Sequence, residues 1–188
     1  MKNINRNFLS SKEIPFDEFI SNVLYDENHG YYSKKMPFGK AGDFITAPEI
    51  SFLFSEIIAI WIISFWEHLD KPKNFNIIEL GPGNGLLINV MIKTFKKFPE
   101  FFNSSKIYMY EKSKKLEIIQ KKLLGKEDIK WVKNFDLIKK GPVIFLGNEF
   151  FDAIPIKQFK VKDKIIYEKF VKLSKNNQIK YLFKKIDK

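Results

Sequence analysis

The stretch Phe75-Asn76-Ile77-Ile78-Glu79-Leu80-Gly81-Pro82-Gly83-Asn84-Gly85 constrains this chain more than any other. Asn76 to Leu80 is a short apolar run, long enough for a buried parallel strand and too short for a helix. It breaks into three glycines at every second position. Leu86 to Phe98 follows with apolar residues at helical spacing: Leu87, Val90, Met91 and Phe95. Strand, glycine turn and helix together open a nucleotide-type site in a doubly wound α/β sheet. The glycines let the backbone close around a ligand and adopt positive φ. The helix amino terminus behind them offers free N–H groups.

The spacing narrows the ligand. A dinucleotide fingerprint is G-x-G-x-x-G; here it is G-x-G-x-G, and Leu86 stands where the last glycine of that pattern belongs. Glu79 precedes the first glycine by two positions. This combination is similar to motif I of the class I S-adenosylmethionine-dependent methyltransferases. A nicotinamide dehydrogenase fits less well, because of Leu86 and because a helical region precedes the first strand.

At 188 residues with 45% hydrophobic and 16% aromatic content, the chain can bury a core. It has no cysteine and only two histidines, His29 and His68. A disulfide framework, a thiolate metal site and a cysteine nucleophile are therefore excluded, and no metal site is expected. The net charge of +11 is carried by lysine, Arg6 being the sole arginine. Base readers and phosphate clamps lean on arginine forks, so the charge reads as a solvated basic face and no nucleic-acid partner is expected. No apolar signal segment follows Lys2, and the most apolar run, Ile57 to Trp66, is far short of the ~20 residues of a membrane span. The expectation is a cytoplasmic protein without membrane insertion.

Taken in order, Ile14 to Asp26 reads as a helix ended by the turn Asn28-His29-Gly30. In Gly39-Lys40-Ala41-Gly42-Asp43-Phe44-Ile45-Thr46-Ala47-Pro48-Glu49, the pair Thr46 and Glu49 forms a capping box, and Asp43 puts a carboxylate on a glycine turn of the kind that often carries ligands. Pro48 to Leu69 is expected as one long helix, apolar on nearly all sides and so buried against a sheet or in a bundle. Lys106 to Tyr110 is a second strand closing on Glu111, an acid placed to hold a ribose diol. Ser113 to Leu124 is a helix, Ile129 to Val132 a third strand, and Asn134 and Asp136 follow it near an adenine position. Pro142 to Gly147 is the fourth strand. Asn148, Glu149 and Asp152 come just beyond it, where ligands sit in open α/β sheets. From Ile156 the text alternates like strands. The division expected is 1–74, an N-terminal helical region with a cofactor-covering loop, and 75–188, a partial Rossmann-like core.

Five motifs carry a family resemblance: Gly30-Tyr31-Tyr32, Pro37-Phe38-Gly39, Gly42 through Ser51, Glu79-Leu80-Gly81-Pro82-Gly83, and Asn148-Glu149-Phe150-Phe151-Asp152-Ala153-Ile154-Pro155. The chain resembles the methyltransferases comprising the mitochondrial complex I assembly factor that methylates arginine, the mitochondrial dysfunction protein A and bacterial relatives. The resemblance implies an α/β fold, a class I methyltransferase (Rossmann-like) sheet with helices on both faces behind an N-terminal helical region. It implies S-adenosylmethionine as donor and symmetric dimethylation of a protein arginine, in eukaryotic relatives on a mitochondrial complex I subunit. The cofactor contacts it implies fall on Gly42, Thr46, Pro48, Glu79, Gly81, Gly83 and Glu111, and Asp43, Glu49, Pro82 and Gly85 are candidates beside them. Arginine is always charged, so its recognition calls for carboxylates; Glu149 and Asp152 are the candidates, with Asn148 orienting. The family usually has arginine at Asn84, aspartate at Val90 and glycine at Ser55. Its members are considerably longer, so the chain reads as truncated, with the C-terminal part of the fold missing. The alternative is a non-catalytic relative that docks on a protein partner.

Overall fold

The computed structural model describes residues 13–34, 46–174, 176 and 178–186. The chain divides into two compact units, Met36–Phe151 and a second made of Met1–Lys35 with Asp152–Lys188.

The Met36–Phe151 unit holds the helices α3 (Ala47–Ile50), α4 (Phe52–His68), α5 (Leu86–Phe95), α6 (Pro99–Ser104) and α7 (Lys114–Leu124). Its strands are β2 (Phe75–Leu80), β3 (Ser105–Tyr110), β4 (Ile129–Val132) and β5 (Val143–Leu146), all parallel, in the order β4-β3-β2-β5. Ile77 pairs with Ile107 on one side and Ile144 on the other, so β2 is central. The chain steps outward through β3 and β4, then returns to the far side of β2 for β5. That reversal makes a crevice beyond the carboxyl ends of β2 and β5, the topological switch point.

Alternation along β2 sorts its side chains. Phe75 and Ile77 join Ala59, Ile62, Ile63 and Trp66 of α4, Leu87, Ile88, Met91 and Phe95 of α5, and Phe101 of α6 in the main core. Ile78, on the opposite face, packs with Tyr108 and Val132 in a smaller cluster that Ile138 of the β4–β5 connection covers. Helical cover is thus recorded, among the described residues, on one face of the sheet.

Two expectations about helices are corrected. The single helix over Pro48–Leu69 is broken at Ser51, which is extended (φ −150, ψ 128) and caps α4 by accepting from the Leu53 N–H at 3.2 Å; a serine hydroxyl competes with the helical ladder and favours such ends. α4 packs on the core along one side only. Ser55, Ala59, Ile62, Ile63 and Trp66 form its buried stripe, whereas Leu53, Ile57, Trp61 and Phe65 lie exposed on the opposite side. The helix after the glycines stops at Phe95, not Phe98, and Pro99 opens α6 at a position where its missing N–H costs nothing.

In the other unit, β1 (Ile14–Pro15), α1 (Phe16–Tyr25) and α2 (Tyr31–Lys34) precede β6 (Phe159–Lys162), β7 (Ile165–Leu173) and β8 (Ile179–Lys185). The strands are antiparallel; β7 pairs with β1, β6 and β8. Asp163 and Lys164, both at positive φ, make the two-residue turn between β6 and β7. Ile14, Phe19 and Val171 are its buried centre. The alternating tail therefore joins the N-terminal residues, and these units do not follow the 1–74 and 75–188 division: long-range strand pairing groups segments that are far apart in sequence.

Phe101 is 1% exposed and touches Trp66, Phe75 and Phe95 with ring centroids 5.4, 6.0 and 4.9 Å away. Phe101→Ala leaves a cavity that its three ring neighbours cannot fill, and should cost ~3–5 kcal/mol. Urea unfolding monitored by tryptophan fluorescence measures this; a loss below ~1 kcal/mol would contradict the packing.

Candidate cofactor site

The site starts at the end of β2. Gly81 N–H donates to the Tyr110 carbonyl at 3.0 Å, adding one more rung between β2 and β3. The chain then turns at once: Gly81, Gly83 and Gly85 have φ of 61, 56 and 84, left-handed values that cost side-chain-bearing residues roughly 1–2 kcal/mol each. Gly81 has a second requirement, because a Cβ there would lie 2.7 Å from the Phe150 ring. Gly85 N–H donates to the Pro82 carbonyl at 2.8 Å, and Gly85 is the N-cap of α5.

Asn84 fastens the turn. Its Oδ1 accepts from the Leu86 N–H at 3.0 Å, and its Nδ2 donates to Glu49 Oε1 at 2.8 Å. The other Glu49 oxygen accepts from the Thr46 N–H at 3.1 Å. The capping-box glutamate thereby ties the start of α3 to the glycine turn. Thr46, Pro48, Glu79, Gly81, Pro82, Gly83, Asn84, Leu87 and Asn148 line an open cleft.

Glu79 is 3% exposed. Alternation along β2 turns it to the helix-covered face, and this burial pushes its carboxyl up to about 8; the Ile88 N–H draws it down, and the nearby Glu111 charge raises it further. Its Oε2 has no hydrogen-bond partner among the described residues, although the residue lines the cleft. A buried polar atom without a partner is costly. Its presence at a cleft fits a ligand that carries a polar or cationic group to that position.

Glu111, at the end of β3, is also buried, and desolvation raises its carboxyl above the usual range. Oε1 accepts from the Ser113 N–H at 2.7 Å and Oε2 from Gln120 Nε2 at 3.1 Å. The Lys112 N–H also draws the carboxyl down, and a carboxylate offers about four lone-pair sites in all. Gln120 in turn donates to the Gly83 carbonyl at 2.9 Å, so Glu111 stands behind the turn, joined to it through Gln120.

Beyond β5, Asn148 faces the cleft, and Glu149 beside it is exposed with φ of 53, a backbone state that non-glycine residues rarely hold outside functional sites and turns. Asp152 is exposed in the 3-10 turn Phe151–Ala153 and belongs to the second unit. Asn134 and Asp136 are exposed and do not line the cleft. Gly42 and Asp43 lie outside the described residues, as does Pro37-Phe38-Gly39. Among the described residues no cluster of metal-ligating side chains occurs, and no helix is long and apolar enough to cross a membrane.

The structure thus gathers Thr46, Pro48, Glu79, Gly81, Pro82, Gly83 and Asn148 around one cleft, with Glu49 one hydrogen bond away. Four residues escaped the sequence reading of the site. Asn84 had a local signal, an Asx residue just before a helix. Leu87 reads as helix core, while Gln120 and Phe150 reach the turn only through tertiary packing.

Residues 57–187 match the family described as "Putative S-adenosyl-L-methionine-dependent methyltransferase". The chain belongs to that family. S-adenosyl-L-methionine is the cofactor that membership assigns, and the glycine turn and the unpartnered Glu79 oxygen suit it. Among curated proteins, the chain is similar to protein arginine methyltransferase NDUFAF7, mitochondrial, of Xenopus tropicalis: 35% identical over 179 residues, 82% of this chain and 42% of that one. The human protein of that name is 32% identical, with 80% and 40% covered. The chain therefore spans about two-fifths of the length of these relatives. Its fold is that of a structure from Burkholderia thailandensis, a "likely methyl transferase" bound to S-adenosyl-homocysteine, with a TM-score of 0.79 at 23% identity over 98% of this chain and 49% of that one.

Glu79 makes stability depend on pH. Its carboxyl holds a proton up to about 8 when folded and only to about 4.3 when unfolded. Its contribution is therefore fully present below the unfolded value and is lost as pH rises through about 8, by up to about 5 kcal/mol. Glu79→Gln keeps an acceptor for the Ile88 N–H and cannot ionise. Between pH 4.5 and 8 wild type should lose stability relative to Glu79→Gln, with a constant difference above that; parallel denaturation curves at all pH values would refute the assignment.

Proposed function

We propose that this chain carries the cofactor-binding part of an S-adenosylmethionine-dependent methyltransferase that acts on arginine in a protein. The observation that carries the reading is the Gly81–Gly85 turn at the switch point, with Glu79, whose Oε2 has no partner among the described residues, lining the same cleft. When bound, S-adenosylmethionine supplies a methyl group on a sulfonium centre, open to in-line displacement.

The chain's own residues bind and orient. The three glycines keep side chains out of the way so that backbone amides can approach the donor. Thr46 and Pro48 wall one side of the cleft, held by the Glu49–Asn84 bond. Neutral Glu79 can donate a proton to an acceptor, and ionised Glu79 can accept from an ammonium group. Glu111 is assigned the ribose hydroxyls, which a carboxylate can accept from. On the acceptor side, Asn148 and Glu149 are assigned the guanidinium, which a carboxylate recognises by paired hydrogen bonds. Asp152 is assigned beside them from its sequence position just beyond the fourth strand and from its carboxylate. Displacement at carbon needs little beyond alignment, so most of the rate comes from positioning.

The relatives named as arginine methyltransferases support a protein arginine as acceptor. Symmetric dimethylation and a respiratory complex I subunit as target rest on the resemblance. A second reading, a non-catalytic module that docks on a protein, is favoured by the exposed apolar side of α4.

Calorimetric titration of S-adenosylhomocysteine into the chain and into Gly83→Val tests the proposal. Micromolar binding, about −8 kcal/mol, should vanish in the variant, whose β-branched side chain opposes φ of 56, while circular dichroism shows it folded. A folded wild-type chain that binds nothing would favour the docking module.

A further inference from the structure

Gln120, on α7, is wholly buried, and the bonds its side-chain amide donates lead toward the site. Nε2 donates to the Gly83 carbonyl at 2.9 Å and to Glu111 Oε2 at 3.1 Å; Oε1 accepts from the Trp131 indole N–H at 2.9 Å. Both amide hydrogens are used, and the indole can only donate. The orientation is therefore unique: a flipped amide would set its oxygen against two acceptors and its NH2 against a donor. The side-chain stem passes over Gly85, where an added Cβ would stand 3.3 Å from Gln120 Cγ. One amide thus joins the turn after β2, the acid after β3 and the tryptophan of β4.

We infer that Gln120 is a positioning residue of the donor site, holding the Gly83 carbonyl and the Glu111 carboxylate in one fixed relation for a ligand that spans the ends of β2 and β3. The inference rests on the reading of the cleft as a donor site. Two acceptors side by side in a buried space drift apart unless a donor bridges them, and in a loop with three left-handed glycines Gln120 adds this tie to the Asn84 bonds. Gln120 also acts on the charge of Glu111. Its N–H favours the ionised form against desolvation, together with the Ser113 and Lys112 N–H groups and Lys133, whose Nζ donates to the Glu111 carbonyl at 2.5 Å. Glu79 is the opposing charge nearby, Glu117 is paired to Lys133, and Lys121 sits over the Trp131 ring.

Gln120→Met keeps the size and removes the amide; Gln120→Glu keeps the Trp131 acceptor and, when ionised, removes both donors, and serves if the first does not fold. Without ligand, amide exchange at Gly81, Gly85 and Leu86 should quicken about ten- to a hundredfold, while Ile77 and Ile78 in β2 keep their rates. S-adenosylhomocysteine should bind about tenfold or more weakly, and the acid limb of its binding should move to higher pH in Gln120→Met as Glu111 loses a donor. Unchanged exchange and affinity overturn the inference. So does exchange that rises equally in the turn and in β2, which would make Gln120 a general core residue. If wild type itself does not bind S-adenosylhomocysteine, the donor-site reading fails, and exchange alone decides whether Gln120 orders the turn.

Discussion

The Met36–Phe151 unit depends on one demand: a strand buried on both faces must end in an open turn. β2 is hydrogen-bonded to β3 and β5, and Phe75, Ile77 and Ile78 are fully buried. The backbone leaving such a strand has no room for side chains and must reverse within five residues to start α5. Glycine at positive φ meets both conditions. The rest of the unit packs around that turn: Phe150 against Gly81, Gln120 against Gly85, Asn84 to Glu49.

The same packing sets the electrostatics. Glu79 and Glu111 end adjacent parallel strands at or near the sheet edge that faces the crevice, and both are desolvated. Their surroundings then diverge. Glu111 is given backbone and amide donors on both oxygens, whereas Glu79 has an oxygen with no partner among the described residues. Two carboxyls with unlike partners can do unlike work in one site. One is held as a fixed acceptor, and the other is left to answer the ligand.

The outer side of the unit follows a different rule. α4 is apolar around its whole circumference, and the sheet covers only one stripe of it. Trp61 and Phe65 stack on each other at 5.6 Å on the uncovered side, and Phe145 of the edge strand β5 is half exposed. Such a helix commits its inner stripe to the core because Ala59 and Ser55 are small enough to approach α5 and the sheet closely, not because that stripe is more hydrophobic than the outer one.

Features written in consecutive residues were legible before any coordinates. The β2 strand, its glycine turn and the helix behind it are a local pattern, and so are the later parallel strands, each a short apolar run with punctuation at its ends. Candidate residues near that turn, from Thr46 to Gly83 and on to Asn148, converge because strand order puts the ends of β2 and β5 side by side. What the sequence could not decide was any contact set by helix placement. Gln120 lies 37 residues from Gly83, and its role follows from where α7 crosses the sheet. The exposed face of α4 and the grouping of the alternating tail with the first helix have the same cause, whereas the break at Ser51 is a local serine cap. A local pattern specifies each segment's conformation, while burial and long-range partners exist only after the segments have packed.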